Sequence, residues 1–330
     1  MDKIVLGFSG GVDSAVSACL LRDAGWEVHC LFLDTCGGDT APVRAAADAM
    51  GFPLAIRDVR GEMEERVCRP FAESYLRGET PNPCVFCNPA VKMRALCAYA
   101  DELGGEKIAT GHYVRAEDGA LYMGKYENDQ SYMLCRVTRE QASRLVLPLG
   151  GYVKREVRAL AEKLSLPAAH KPDSMEICFI PGNDFGAWLD RRGGTPPQGN
   201  FIYHGQVVGR HLGYHHYTLG QRKHFGISLG RRVYVSEIRP DTNEVVLSDG
   251  DGLWVNTVRA RDMNWLGDAP LDPFPCRARI RHSRDAYSAV AVADGDGVVL
   301  SFADAVRAST PGQSAALYDG DRLLGGGYII

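Results

Sequence analysis

The 330-residue sequence predicts an α/β protein built on a doubly wound, mostly parallel sheet, with smaller β-rich units after it. Three features carry this expectation. Short apolar runs alternate with stretches of helical length through the first half. A glycine loop follows directly on the first apolar run, and beyond about residue 190 the pattern changes to short alternating segments punctuated by turns.

Strands are expected at 3–8, 29–34, 54–59 and 107–110, because runs this short and apolar are what a sheet covered on both faces buries. Helices are expected between them at 15–23, 42–50, 62–77 and 89–103. Ligands of such sheets sit at the carboxyl ends of the strands, so residues just after each run are the candidates for chemistry. Arg191-Arg192-Gly193-Gly194-Thr195-Pro196-Pro197 marks a boundary. Segments 232–238, 243–247 and 298–302 read as strands beyond it, and a second break is expected near Asp251-Gly252. The division predicted is 1–192, 193–253 and 254–330.

Composition narrows the function classes. Hydrophobic residues make up 45% and charged residues 24% of the chain, ordinary values for a globular protein, and no apolar run could span a bilayer. The first residues lack the apolar core of a secretory signal, so a cytoplasmic location is expected. Ten cysteines are too dilute for a disulfide framework and should mostly be thiols. A net charge of −4 argues against indiscriminate coating of nucleic acid, but charge is unevenly spread. From 191 to 236 there are seven Lys or Arg, five His and no Asp or Glu, interleaved with Tyr203, Tyr214, Tyr217, Phe225 and Tyr234. Cations for phosphates and flat rings for bases suit an RNA surface, although some of these rings must be core.

The first strand runs into Ser9-Gly10-Gly11-Val12-Asp13-Ser14 and then a helix. Two glycines free the backbone to turn successive N–H groups onto a phosphate at a helix N-terminus. Ser9 and Ser14 add hydroxyls, and Asp13 is expected to hold Mg²⁺ or cap the helix. The lysine and spacing of a Walker A loop are absent. The loop resembles the PP-loop of ATP pyrophosphatases, which adenylate a substrate oxygen and release pyrophosphate.

Two further segments bear thiols. Thr80-Pro81-Asn82-Pro83-Cys84-Val85-Phe86-Cys87-Asn88 places two of them three residues apart, and Lys171-Pro172-Asp173-Ser174-Met175-Glu176-Ile177-Cys178 offers a third. Such spacing suits a metal, a cluster or redox thiols. The other seven cysteines fall mostly in apolar patterns and are expected to be packed. His112, after the fourth strand, is placed either on a ligand or in a structural hydrogen bond. Lys154, Arg155 and Arg158 form either a solvated helix face or a contact to RNA phosphate.

Both cysteine segments resemble the tRNA-specific 2-thiouridylase family. So do Thr110-Gly111-His112-Tyr113, Asn128-Asp129-Gln130-Ser131-Tyr132, Lys154-Arg155-Glu156-Val157-Arg158 and the segment 213–222 with Tyr217-Thr218-Leu219-Gly220-Gln221-Arg222. That resemblance implies a PP-loop catalytic domain, a small central tRNA-binding domain and a C-terminal β-barrel. It implies ATP contacts at Gly7, Phe8, Ser9, Gly10, Gly11, Val12, Asp13, Ser14, Leu33 and Gly111. Cys87 matches the nucleophile, and Cys178 the residue that carries a persulfide. Asn82, Pro83, Cys84, Asn128, Asp129 and Gln130 match segments that meet the target base, with Lys154, Arg222, Arg279 and Ile280 assigned to tRNA. The implied substrate is the wobble uridine of tRNAs for Lys, Glu and Gln, and the implied partner is a cysteine desulfurase or sulfur relay protein.

The chain departs from the family's usual pattern in places. Cys84 stands where many relatives have Asp, Asn128 where they have Lys, and Met175 where they have Gln. Residues 35–40 form a short version of their segment, and Ile280 stands where the family carries Tyr. With Cys84 present, the three thiolates of Cys84, Cys87 and Cys178 could instead hold a 4Fe-4S cluster with one iron open to sulfide. Persulfide and cluster chemistry both remain open, with the third thiol inclining the reading to the cluster. The alternatives are a PP-loop synthetase that amidates a small molecule, which would turn over ATP without RNA, and a regulator with a structural zinc site.

Overall fold

The computed structural model describes residues 1–172, 177–250, 253–283, 285–307 and 310–330. Met175, within the second cysteine segment, and the expected break at Asp251-Gly252 lie outside the described residues.

Strands β1 (Lys3–Gly7), β2 (Glu27–Asp34), β3 (Leu54–Asp58), β4 (Lys107–Ala109) and β7 (Leu145–Val146) form a parallel sheet in the order β3-β2-β1-β4-β7. The chain builds outward from β1 in one direction through β3 and then returns to β1's other side with β4. That reversal between β1 and β4 is the switch point at which open α/β sheets bind ligands. Helices α1 (Val12–Asp23) and α2 (Ala41–Met50) pack beside it, and α2 ends at Gly51, whose φ of 72° closes the helix in the left-handed conformation.

The helices expected at 62–77 and 89–103 are not uniform. The first is assembled from α3 (Arg60–Met63), a wide π-turn Glu64–Cys68 and α4 (Arg69–Leu76). The second follows α5 (Pro83–Cys87) through a π-turn Asn88–Met93 into α6 (Arg94–Glu102). Each irregular turn lies at a proline, Pro70 or Pro89, which has no N–H to give to the residue four back.

Residues 191–197, expected to be a boundary, begin inside a helix. After α7 (Arg139–Arg144) and α8 (Lys154–Lys163), α9 (Phe185–Arg192) ends at Gly193 with a φ of 78°. Next comes a four-stranded sheet in the order β10-β11-β8-β9, from β8 (Gly199–Tyr203), β9 (Gln206–His211), β10 (Tyr234–Arg239) and β11 (Glu244–Ser248), over a core of Phe201, Tyr214, Tyr217, Val235 and Val245.

The last unit is a closed six-stranded barrel: β12 (Trp254–Trp265), β13 (Phe274–Arg279), β14 (Tyr287–Asp294), β15 (Gly297–Arg307), β16 (Ser314–Asp319) and β17 (Arg322–Ile329), with β12 pairing both β15 and β17. A hairpin from the first half of the chain, β5 (Val114–Glu117) and β6 (Ala120–Met123), joins this sheet through Tyr122 opposite Arg322. Val5, Leu31 and Ile108 share one core with Leu121, Tyr318 and Leu323, so barrel and parallel sheet are welded by common apolar burial. Among the described residues no helix is long and apolar enough to cross a membrane.

Candidate active site

The loop after β1 is built as its composition requires. Gly10 has a φ of 70°, which favours glycine. Ser9 N–H donates to Ser14 Oγ at 3.2 Å, Gly11 N–H to Ser9 Oγ at 3.3 Å, and Ser14 Oγ to Gly11 O at 3.1 Å, so the two serines brace the turn from within. Gly111, after β4, meets this loop. A Cβ there would stand 3.1 Å from both the carbonyl carbon and the Cβ of Asp13, so the two loops touch at the switch point.

Asp13 does not cap α1, whose first residues receive no side-chain hydrogen bond at Gly11. Its carboxylate instead accepts from Lys154 Nζ at 2.8 Å on both oxygens and from the Tyr113 hydroxyl at 2.7 Å. Lys154 therefore lies at the nucleotide loop, with 20% of its side chain exposed, and not on a solvated helix face. Lys171 Nζ reaches Gly10 O at 3.5 Å, and Arg158 donates to the carbonyls of Ala169 and Lys171. Two lysines from the second half of the catalytic domain thus bring positive charge to a loop of serines and glycines, an arrangement suited to a polyphosphate. Phe8 and Val12 are buried supports of the loop, Gly7 ends β1, and Leu33 is the last residue but one of β2.

The thiols gather on the same edge. Asn82 Oδ1 accepts from Cys84 N–H at 3.1 Å, and Pro83, buried at the first helical position, starts α5. The segment before it is held by the barrel: Thr80 N–H donates to Pro311 O at 2.8 Å and Gln313 Nε2 to Thr80 O at 2.6 Å. Cys84 is exposed. Cys87 is half-buried, with its Sγ 3.8 Å from Met63 Sδ, and burial pushes its thiol up while the Lys92 ammonium pulls it down. Cys178 is exposed as a residue, yet its thiol is crowded. Desolvation, then the neighbouring thiols of Cys87, Cys36 and Cys84, push it to about 11, against Lys92.

Two residues escaped the sequence reading. Cys36 is exposed and donates to Cys178 O at 3.0 Å, from a turn in which Asp34 Oδ1 accepts from Cys36 N–H and Gly37 N–H; it is not one of the packed cysteines. Its position two residues past β2, at the carboxyl edge, was the available signal. Lys92 acts on Cys87, Cys178 and His112, which ties the thiols to the loop after β4. His112 itself bonds Thr110 Oγ1 at 2.7 Å, and burial and Lys92 hold its imidazole down at about 3, so it is neutral.

The thiol shifts carry a pH prediction. Both thiols lie above their ordinary value, so the thiolate fraction grows as pH rises, and Lys92 moves that rise toward neutrality. In iron-free Lys92→Met, the inflection in the rate of iodoacetamide alkylation of Cys87 and Cys178 should move to higher pH. An unchanged inflection would remove Lys92 from the site.

Several residues expected at the tRNA are otherwise engaged. Asp129 accepts from Gly124 N–H at 2.5 Å and from the N–H and hydroxyl of Ser131, and it pairs with Arg279 inside the protein. Arg279 is 5% exposed, and Ile280 is fully buried in the barrel core, leaving it no surface for RNA. Gln130 Oε1 accepts from Tyr113 N–H at 3.1 Å and Asn128 Oδ1 from Lys154 N–H at 3.5 Å, so both brace the partners of Asp13. A cavity of about 560 Å³ opens beside the Asp129–Arg279 pair, lined also by Lys125, Tyr126, Glu127 and His282. In the acid-free stretch Arg222, Lys223, Arg231 and Arg232 are exposed, while Tyr214 and Tyr217 are core.

A phosphate-shaped loop at the switch point of a parallel sheet, faced by two lysines and bordered by thiols, defines a PP-loop nucleotide-binding enzyme with two β-domains appended. Residues 2–182 match the family described as tRNA methyl transferase HUP domain, 188–249 the tRNA methyl transferase PRC-barrel domain and 255–329 the aminomethyltransferase beta-barrel domain. The chain is 40% identical over 359 residues to the tRNA-specific 2-thiouridylase MnmA of Carboxydothermus hydrogenoformans, with 99% of this chain and 97% of that protein covered. It is 39% identical to MnmA 1 of Caldanaerobacter subterraneus, covering 99% and 98%, and 37% identical to MnmA of Lachnoclostridium phytofermentans, covering all of both. The chain belongs to the tRNA-specific 2-thiouridylase family.

Proposed function

We propose that this protein uses ATP to adenylate the C2 oxygen of a tRNA uridine and replaces that oxygen with sulfur. The observation that carries the reading is the sharing of one sheet edge by the Ser9–Ser14 loop and by thiols that act on one another at Cys178. A uracil C2 oxygen leaves poorly as hydroxide, whereas AMP leaves readily, so activation must precede sulfur entry and both centres must reach one base. Lys154 and Lys171 bind the triphosphate, Mg²⁺ accompanies it, and the base leaves its stack to enter.

The sulfur step has two forms. In the first, a cysteine desulfurase or relay protein loads Cys178 as a persulfide, whose terminal sulfur attacks C2 and expels AMP. The Cys87 thiolate then attacks Cys178 Sγ, releasing the thiouridine sulfur and leaving a Cys87–Cys178 disulfide for an external reductant. In the second, favoured by the presence of Cys84, the three thiolates of Cys84, Cys87 and Cys178 would hold a 4Fe-4S cluster that delivers bound sulfide. The substrate inferred from the family is the wobble uridine of tRNAs for Lys, Glu and Gln, in the cytoplasm.

The test is incubation of the purified chain with ATP, unmodified tRNA and a sulfur donor, followed by nucleoside analysis. 2-Thiouridine should appear only with all three present. ATP turnover independent of tRNA, with ammonia incorporated into a small acid, would instead support the amidating synthetase.

The exposed cations of the central domain should meet RNA phosphate. Arg222→Ala or Arg232→Ala is expected to weaken tRNA binding, lower the slope of log affinity against log salt by about one, and leave ATP binding unchanged. Equal slopes for variant and parent, from titrations at several salt concentrations, would exclude these residues from the interface.

A further inference from the structure

Away from the thiols, three side chains converge where the catalytic and central domains meet. Asp190 lies near the end of α9, whose Trp188 and Leu189 are buried in the core that holds Phe71 and Tyr75. His215 and His216 form the tight turn Tyr214–His216 of the central domain, anchored by the Tyr214 hydroxyl on Leu76 O at 2.7 Å. Each imidazole directs its Nε2 at a different oxygen of the one carboxylate, His215 to Oδ1 at 2.8 Å and His216 to Oδ2 at 3.1 Å. All the ligand atoms lie within 4.8 Å of one another.

We propose that Asp190, His215 and His216 form a site for one divalent transition ion of the zinc class, joining the last helix of the catalytic domain to the central domain. Two imidazole nitrogens and a carboxylate are the donors that a three-ligand zinc site uses, with water in the fourth position. Exposure is graded as such a site needs: the His215 side chain is 0% exposed, His216 20% and Asp190 46%, so one side stays open to water and to the entering ion.

The rings are fixed in advance by glycines. A Cβ on Gly186, one helical turn before Asp190, would stand 2.1 Å from His216 Nδ1, and one on Gly213 would stand 2.4 Å from His215 Cε1. Both positions must lack a side chain for the imidazoles to stand where they do, which lowers the ordering cost of binding. One feature limits affinity. His215 Nδ1 is buried without a hydrogen-bond partner, and it must carry the proton once Nε2 binds metal. The ion is therefore exchangeable and not locked in as in a closed structural site.

The experiment uses full-length untagged protein in which Cys36, Cys84, Cys87 and Cys178 are replaced by serine, so that thiols do not report. After chelation and addition of zinc or cobalt, metal is counted on the desalted protein and the cobalt spectrum recorded. About one zinc per chain should be retained, lost in Asp190→Asn and in His216→Ala, with cobalt d–d bands and no thiolate charge transfer. Zinc should raise the Tm of the parent and leave that of Asp190→Asn unmoved; this nearly isosteric variant, checked by circular dichroism, guards against misfolding. No retained zinc in the serine background, or equal zinc in the parent and both variants, overturns the proposal.

Discussion

Cys178→Ala is expected to lose tRNA thiolation by about 10³-fold or more while pyrophosphate release in the presence of tRNA stays within about twofold. The thiol lies beside Cys36 and under the influence of Cys84, Cys87 and Lys92, whereas adenylation is the work of the Ser9–Ser14 loop. Cys87→Ala should behave alike, and Cys84→Ala divides the two sulfur chemistries. Activity of Cys84→Ala without iron supports the persulfide. Its loss, together with loss of about four irons per chain and of visible absorption, supports the cluster. Full activity of Cys178→Ala would contradict both, and nucleoside analysis with a parallel pyrophosphate assay decides among them.

Asp13→Ala should lower tRNA-dependent pyrophosphate release by about 10²–10³-fold, with tRNA affinity nearly unchanged. The Asp13 carboxylate holds the Lys154 ammonium at 2.8 Å and the Tyr113 hydroxyl at 2.7 Å, and alanine takes this carboxylate away from a partly buried cation. Lys154→Ala should show a similar loss. It also separates the tRNA contact expected from the sequence from the place at the Ser9–Ser14 loop, since a phosphate contact to RNA would flatten the salt dependence of tRNA binding whereas a nucleotide contact would not. Equal pyrophosphate release by Asp13→Ala and the parent would remove the loop from the chemistry.

What was legible in the sequence is what short-range chemistry dictates. β1, the Ser9–Ser14 loop and α1 are adjacent in the chain, and apolar run, glycine pair and helix spacing each point to the same local structure. Cys84 and Cys87 were legible for the same reason, being one helical turn apart on α5. The Asp13–Lys154 pair joins residues 141 positions apart, and no local pattern distinguishes a lysine that meets the loop from one that faces water. The hairpin 114–123 was not among the expected strands, and its sequence carries no mark of the barrel it joins. Arg279 was assigned to tRNA by the family resemblance, and no local pattern points to its partner Asp129, 150 residues away. Cys36 was hidden by composition: one cysteine among ten, distinguished only by the strand that ends before it.

The central claim is that ATP is attacked at its α-phosphorus by the uridine C2 oxygen, which then departs with AMP. A tRNA substrate carrying oxygen-18 at C2 of the target uridine tests this most directly, with the products separated and weighed by mass spectrometry after a single turnover. The label should be found in the phosphate of AMP, in proportion to the 2-thiouridine formed. Label in inorganic phosphate, in pyrophosphate or in water, with AMP unlabelled, would contradict it.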